Sequence, residues 1–196
     1  MTQSNHSLHS ARSALMLFIL ALSTASLACQ INIGGPAAPG SVIQASDDMA
    51  QSFSQIWESA IQGVDESGEV MVIFNEAQLT SFLAQRLASQ EKALITSPQV
   101  YLRDGTLQIY GTATQFYLET SVLISILPVL TETGDLSFEI ISADLGPFPM
   151  PEALRSSISS VLTEAFTGSI GSFATGIRIQ SIAIAGGELA LVGKLR

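Results

Sequence analysis

The sequence predicts an α+β fold, an antiparallel sheet curving against helices. Three observations predict it. Apolar residues recur at helical spacing in three separated stretches. Apolar residues alternate along one face of residues 116–127, and Leu136, Phe138 and Ile140 continue that face. Two glycine turns, Asp104-Gly105 and Gly186-Gly187, each sit between strand-like runs. Tight hairpin turns make neighbouring strands antiparallel, which excludes a doubly wound parallel sheet.

Taken in order, residues 42–64 read as a first helix, with Ile43, Met49, Phe53, Ile56, Trp57, Ala60 and Val64 on one face. Asp47 and Asp48 lie near its start, where the helix dipole favours negative charge. Residues 70–74 (VMVIF) form a short β-branched strand. Asn75 then caps a second helix, with Gln78 completing a capping-box pattern and Leu79, Phe82, Leu83 and Leu87 on its apolar face. Residues 99–103 and 106–115 form a hairpin through Asp104-Gly105. Residues 116–127 alternate, with Phe116, Leu118, Thr120, Val122, Ile124 and Ile126 on one side. Thr120 is the polar exception on that side. Thr131 to Asp135 make the next turn, after which Leu136, Phe138 and Ile140 extend the apolar face. The run 122–130 (VLISILPVL) is apolar on both sides, as in a strand covered twice or facing a ligand or membrane, and Pro128 confines its own position to an edge, bulge or strand end. A proline-rich break, 146–151, leads into a third helix reaching about Phe166, with Pro151 at its first position. Residues 177–185 and 188–195 close the chain as a second hairpin.

The N-terminus is set apart. Arg12 precedes an apolar run of 9 residues, Ala14 to Leu22, the length of a signal h-region and too short to span a bilayer. Small residues follow, then Ser26-Leu27-Ala28-Cys29, which resembles a bacterial lipobox with Leu one place closer to Cys than the preferred pattern. Residues 1–28 are therefore expected to be a signal peptide and Cys29 a lipid-anchored (palmitate-bearing) N-terminus. The alternative is cleavage of the same bond by ordinary signal peptidase, leaving a free thiol at Cys29. Residues 29–41, rich in Gly, Pro and Ala, are expected to be a flexible tether, and residues 42–196 a single domain. The expected location is extracytoplasmic, on the cell membrane.

Composition narrows the chemistry. Hydrophobic residues make up 47% of the chain and charged residues 13%, which argues against disorder. Residues 29–196 hold 7 basic and 17 acidic side chains, a net charge of −10 that disfavours nucleic acid and gives no attraction to anionic headgroups. Both histidines, His6 and His9, precede the signal core, and Cys29 is the sole cysteine. The domain thus has no imidazole acid/base, no Ser-His or Cys-His couple, no His/Cys zinc site and no internal disulfide. The remaining acid/base candidates, Asp47, Asp48, Glu132, Asp135, Glu139 and Asp144, read as solvated surface. No calcium loop or phosphate-binding loop is present, so no metal or cofactor is expected.

Four segments carry a family resemblance: 70–87 (VMVIFNEAQLTSFLAQRL), 101–111 (YLRDGTLQIYG), 145–154 (LGPFPMPEAL) and 179–193 (IQSIAIAGGELALVG). In this order the chain resembles the LmeA-like and YpmS-like bacterial lipoproteins, relatives of the tubular lipid-binding superfamily. The resemblance implies a curved sheet gripping a long helix, an apolar groove for phospholipid or another acyl ligand, and no catalysis.

The residues that would line such a groove are Phe116, Leu118, Val122, Ile124, Ile126, Phe138 and Ile140. The competing reading is that they pack as ordinary core beneath a helix. Phe148 and Met150 either touch a membrane or plug the end of the sheet, and Trp57 either borders a ligand mouth or anchors a helix. The expected function is non-catalytic binding of an apolar ligand by a membrane-anchored lipoprotein. The alternative is an interaction module for an envelope protein.

Overall fold

The computed structural model describes residues 34–64, 66–90, 95–115, 118–131, 136–167 and 176–195. Its order is α1 (Asp47–Gln62), β1 (Glu69–Asn75), α2 (Glu76–Ala88), β2 (Thr96–Arg103), β3 (Thr106–Gln115), β4 (Leu118–Leu130), β5 (Leu136–Asp144), α3 (Glu152–Thr167), β6 (Ile177–Ala185) and β7 (Glu188–Leu195). The order of helices and strands is the expected one, and the fold is α+β. The signal segment, Cys29, the turn residues 132–135 and the glycine-rich stretch 168–175 lie outside the described residues.

One expectation needs correcting. The strands form two antiparallel sheets rather than one, β1-β7-β6 and β2-β3-β4-β5. The split follows from the partner β1 takes. It pairs with β7, at the far end of the sequence, placing Val72 opposite Leu191 and Phe74 opposite Leu189. All four side chains are buried, so the alternation of both strands fixes the register.

Both hairpins form through the expected glycine turns. Asp104 and Gly105 have φ of 51° and 72°, and Gly186 and Gly187 have 63° and 82°. Two successive positive φ values give the mirror-image turn whose twist matches that of the flanking strands.

The first helix begins at Asp47, five residues later than its apolar spacing suggests. Ser46 sets the boundary: its Oγ accepts the Met49 N–H at 3.3 Å, and its carbonyl accepts the Ala50 N–H at 3.1 Å. The second helix starts as expected. Asn75 Oδ1 accepts the Gln78 N–H at 2.9 Å and Gln78 Oε1 accepts the Asn75 N–H at 3.0 Å. Gln78 Nε2 also donates to Ser52 Oγ at 2.6 Å, which ties α2 to α1. Asn75→Ala should therefore lower stability by about 1 kcal/mol, read as an earlier urea midpoint at unchanged slope.

The three helices and two sheets of the described residues share one core. At its centre is a ring cluster. Phe53 lies 4.5 Å from Phe74 and 4.4 Å from Phe82 between centroids, while Phe166 packs against Phe53, Phe74 and Phe138 at 5.5, 5.5 and 5.1 Å. Trp57 is fully buried in this cluster, so it is a helix anchor and borders no ligand mouth. Pro128 sits opposite Phe138 near the end of β4, where the lost N–H costs least.

Candidate functional site

The residues expected to line a groove fall mainly in this core. Val122, Ile124 and Ile126, alternating along β4, are fully buried, and Phe138 is buried against Phe166. Ile140 is half-buried and packs on the same cluster. Phe116 and the side chain of Leu118 lie outside the described residues. The described members thus stand together on one sheet face, filled by helix side chains. Leu127 and Ile141 are the apolar exceptions that reach solvent from this part of the sheet.

An open concavity lies elsewhere, between α1 and β1, with a volume of about 600 Å³. β1 is an edge strand. Its alternation buries Val70, Val72 and Phe74 and leaves Glu69, Met71, Ile73 and Asn75 outside. Met71 and Ile73 are 62% and 43% exposed, a large apolar display for a short strand. Across the trough, α1 presents Ser52, Gln55, Ile56, Ser59 and Ala60. The walls therefore mix aliphatic groups with hydroxyls and an amide. The sequence signal for this site was the run VMVIF, apolar on both faces of a strand. A smaller hollow of about 300 Å³ lies between the start of α1 and α2 and is lined by small and polar side chains.

The segment expected to be a free tether is bound to the domain over its described part. Gly34 O accepts from Thr120 Oγ1 at 3.0 Å, and the same hydroxyl lies 3.2 Å from Leu145 O. Thr120, the polar exception on its strand face, is thus a buried tie between the N-terminal segment and the loop after β5. Gly35 presses on β4 so closely that a Cβ there would stand 2.4 Å from Ser121 O, at a φ of 123°. Further along, Tyr101 Oη is 2.8 Å from Ser41 O and 3.2 Å from Pro39 O. The Gln99 side chain then brackets Ile43, accepting its N–H at 2.7 Å and donating to its carbonyl at 3.0 Å. Residues 34–43 form a strap across the four-stranded sheet.

Tyr101 anchors the middle of the strap. Its pKa is raised above 10.0, first by burial, then by the nearby Glu76 and Tyr110, against a lowering by Arg103. The folded protein therefore holds the phenol proton at a pH where the unfolded chain has lost it. Stability contributed by this group is complete below pH ~10 and falls as pH climbs through the raised folded value. Tyr101→Phe should flatten this alkaline limb and cost about 1 kcal/mol at neutral pH through the lost hydroxyl bond. Urea melts from pH 9 to 11 check both.

Glu76 opens α2 and joins it to β2, accepting the Leu102 N–H at 2.8 Å and pairing with Arg103. Asp144 accepts the Gly146 N–H at 2.8 Å, which shapes the turn after β5. Asp47, Asp48 and Glu139 are exposed, and Glu132 and Asp135 lie outside the described residues. Among the described residues no three His, Cys, Asp or Glu side chains converge to hold a metal ion. Comparison with known proteins finds no family model that matches the chain and no matching curated protein.

Proposed function

We propose that this chain is an extracytoplasmic lipoprotein, anchored through Cys29, which binds a phospholipid or other acyl ligand without catalysis. The observation that carries the reading is the α1–β1 trough. Its volume falls in the range of small-molecule sites, roughly 300–1,000 Å³. Its strand wall keeps Met71 and Ile73 in water when no ligand covers them. Covering apolar area contributes roughly 25 cal/mol per Å², so an acyl chain laid along the trough gains several kcal/mol with no group reacting. The resemblance to LmeA-like and YpmS-like lipoproteins supports the same ligand class and a tubular lipid-binding type of domain. The ligand surface proposed here differs from the β4–β5 face, whose side chains are committed to the core.

A second reading has an observation of its own. The free edge of β1 offers unpaired backbone groups beside an apolar trough, a setting in which an extended segment of an envelope protein adds as a further strand.

Native mass spectrometry of protein extracted in mild detergent separates the two. Lipid binding predicts a co-purified acyl species and uptake of labelled phosphatidylcholine, both abolished by Ser59→Trp, which fills the trough from exposed helix surface. An empty protein that takes up no labelled lipid would contradict the lipid reading and favour the protein partner.

A further inference from the structure

The strap has a consequence for how the domain meets the membrane. Gly34 is the first described residue; its carbonyl accepts from Thr120 Oγ1, and Gly35 next to it lies close against Ser121. Cys29 lies five residues before Gly34. Fully extended chain spans no more than ~3.6 Å per residue, so Gly34 stands within about 18 Å of the Cys29 Cα whatever path the intervening residues take. An acylated Cys29 sits at the bilayer surface. The sheet end that holds Gly34 is then held there too, and the opposite end cannot take its place.

The features of that end are on hand. The Thr120 hydroxyl that meets Gly34 also meets Leu145, the first residue of the loop entering α3. The loop is folded tightly on Leu145, whose carbonyl accepts the Phe148 N–H at 3.4 Å. Pro147 and Pro149 are exposed, and Phe148 and Met150 are half-buried against the core. Prolines expose no amide N–H that must stay hydrated, which suits a surface pressed on lipid. The flanking charges are the exposed carboxylates Glu119, Asp144 and Glu152, the last paired with Arg155 at 3.6 Å, a net negative set that gains nothing from anionic headgroups. The far end is the Asp104-Gly105 turn. β3 runs ten residues from there to Gln115, which pairs with Leu118 beside Thr120. At ~3.3 Å per residue the two ends are about 30 Å apart.

We infer that the domain rests on the phospholipid bilayer with the Thr120–Leu145 end and its 147–150 loop facing the lipid and the Asp104-Gly105 turn pointing away. This inference rests on the anchoring of Cys29 proposed above.

The test uses full-length lipidated protein in phosphatidylcholine vesicles. A thioether-linked Cys29 carries no free thiol, so Pro149→Cys or Asp104→Cys supplies a single labelling site for a fluorophore. A nitroxide on the lipid headgroup should quench the label at 149 severalfold more strongly than the label at 104. Inserting a ten-residue Gly/Ser spacer between Ile31 and Asn32 lengthens the link from Cys29 to Gly34 and should bring the two signals together. Equal quenching in the original chain, stronger quenching at 104, or a difference that survives the spacer overturns the inference. Intact mass on the same samples keeps the two claims distinct. An unacylated Cys29 refutes the anchor itself, whereas acylated protein with equal quenching refutes only the orientation.

Discussion

Cys29→Ser is expected to move the protein from the membrane fraction to the soluble extracytoplasmic fraction. Among the described residues no helix is long and apolar enough to cross a membrane. The acidic domain has no attraction to anionic headgroups. Each buried methylene of an attached acyl chain contributes about 0.8 kcal/mol, and two or three chains make release very slow. Removing the thiol removes that whole term at once, while every described contact of the domain, from Gly34 onward, keeps its partners. The fraction should therefore change without a change in melting temperature. Retention of the Ser variant in the membrane would show that Cys29 is not the anchor.

Phe166→Ala is expected to be the most damaging single truncation in the described core, at about 3–5 kcal/mol. Phe166 is fully buried at the end of α3 and is the ring that joins three elements: Phe53 of α1, Phe74 of β1 and Phe138 of β5. Its loss leaves a cavity that these stiff rings cannot close, because each is held by further partners. Since small domains are stable by only ~5–15 kcal/mol, the variant should melt far below the parent or fail to accumulate. Phe166→Leu keeps most of the volume and should recover much of the loss, which ties the effect to packing. A drop below 1 kcal/mol for the alanine variant, measured by urea unfolding, would show that the cluster does not hold the sheets together.

Much of this architecture could be read from residue order because the controlling forces are local. Asn75 with Gln78 sets a helix start within four residues. Asp104-Gly105 and Gly186-Gly187 each force one turn. The alternation of Val122, Ile124 and Ile126 marks a buried strand face wherever the rest of the chain goes. The partition into two sheets was not legible, because β1 and β7 are more than a hundred residues apart and only their shared register unites them. The strap contacts of residues 34–43 are not legible for a related reason. Glycine at 35 suggests looseness, yet it is required because the chain passes too close to Ser121 for any side chain. The trough is not legible in the sequence because its walls come from α1 and β1, and the serines on α1 look like plain solvent-facing surface. The β4 and β5 groove candidates illustrate the limit of pattern alone, since alternation marks a covered face without naming the cover. Here that cover is protein, with Phe166 seated on Phe138.

The most direct measurement for the account is the intact mass of protein extracted from the membrane and resolved without reduction or hydrolysis. Anchoring through Cys29 predicts a chain that begins at Cys29 and carries the added mass of two or three acyl groups on that residue. A chain beginning at Met1, or one beginning at Cys29 with a free thiol and no acyl mass, would contradict it.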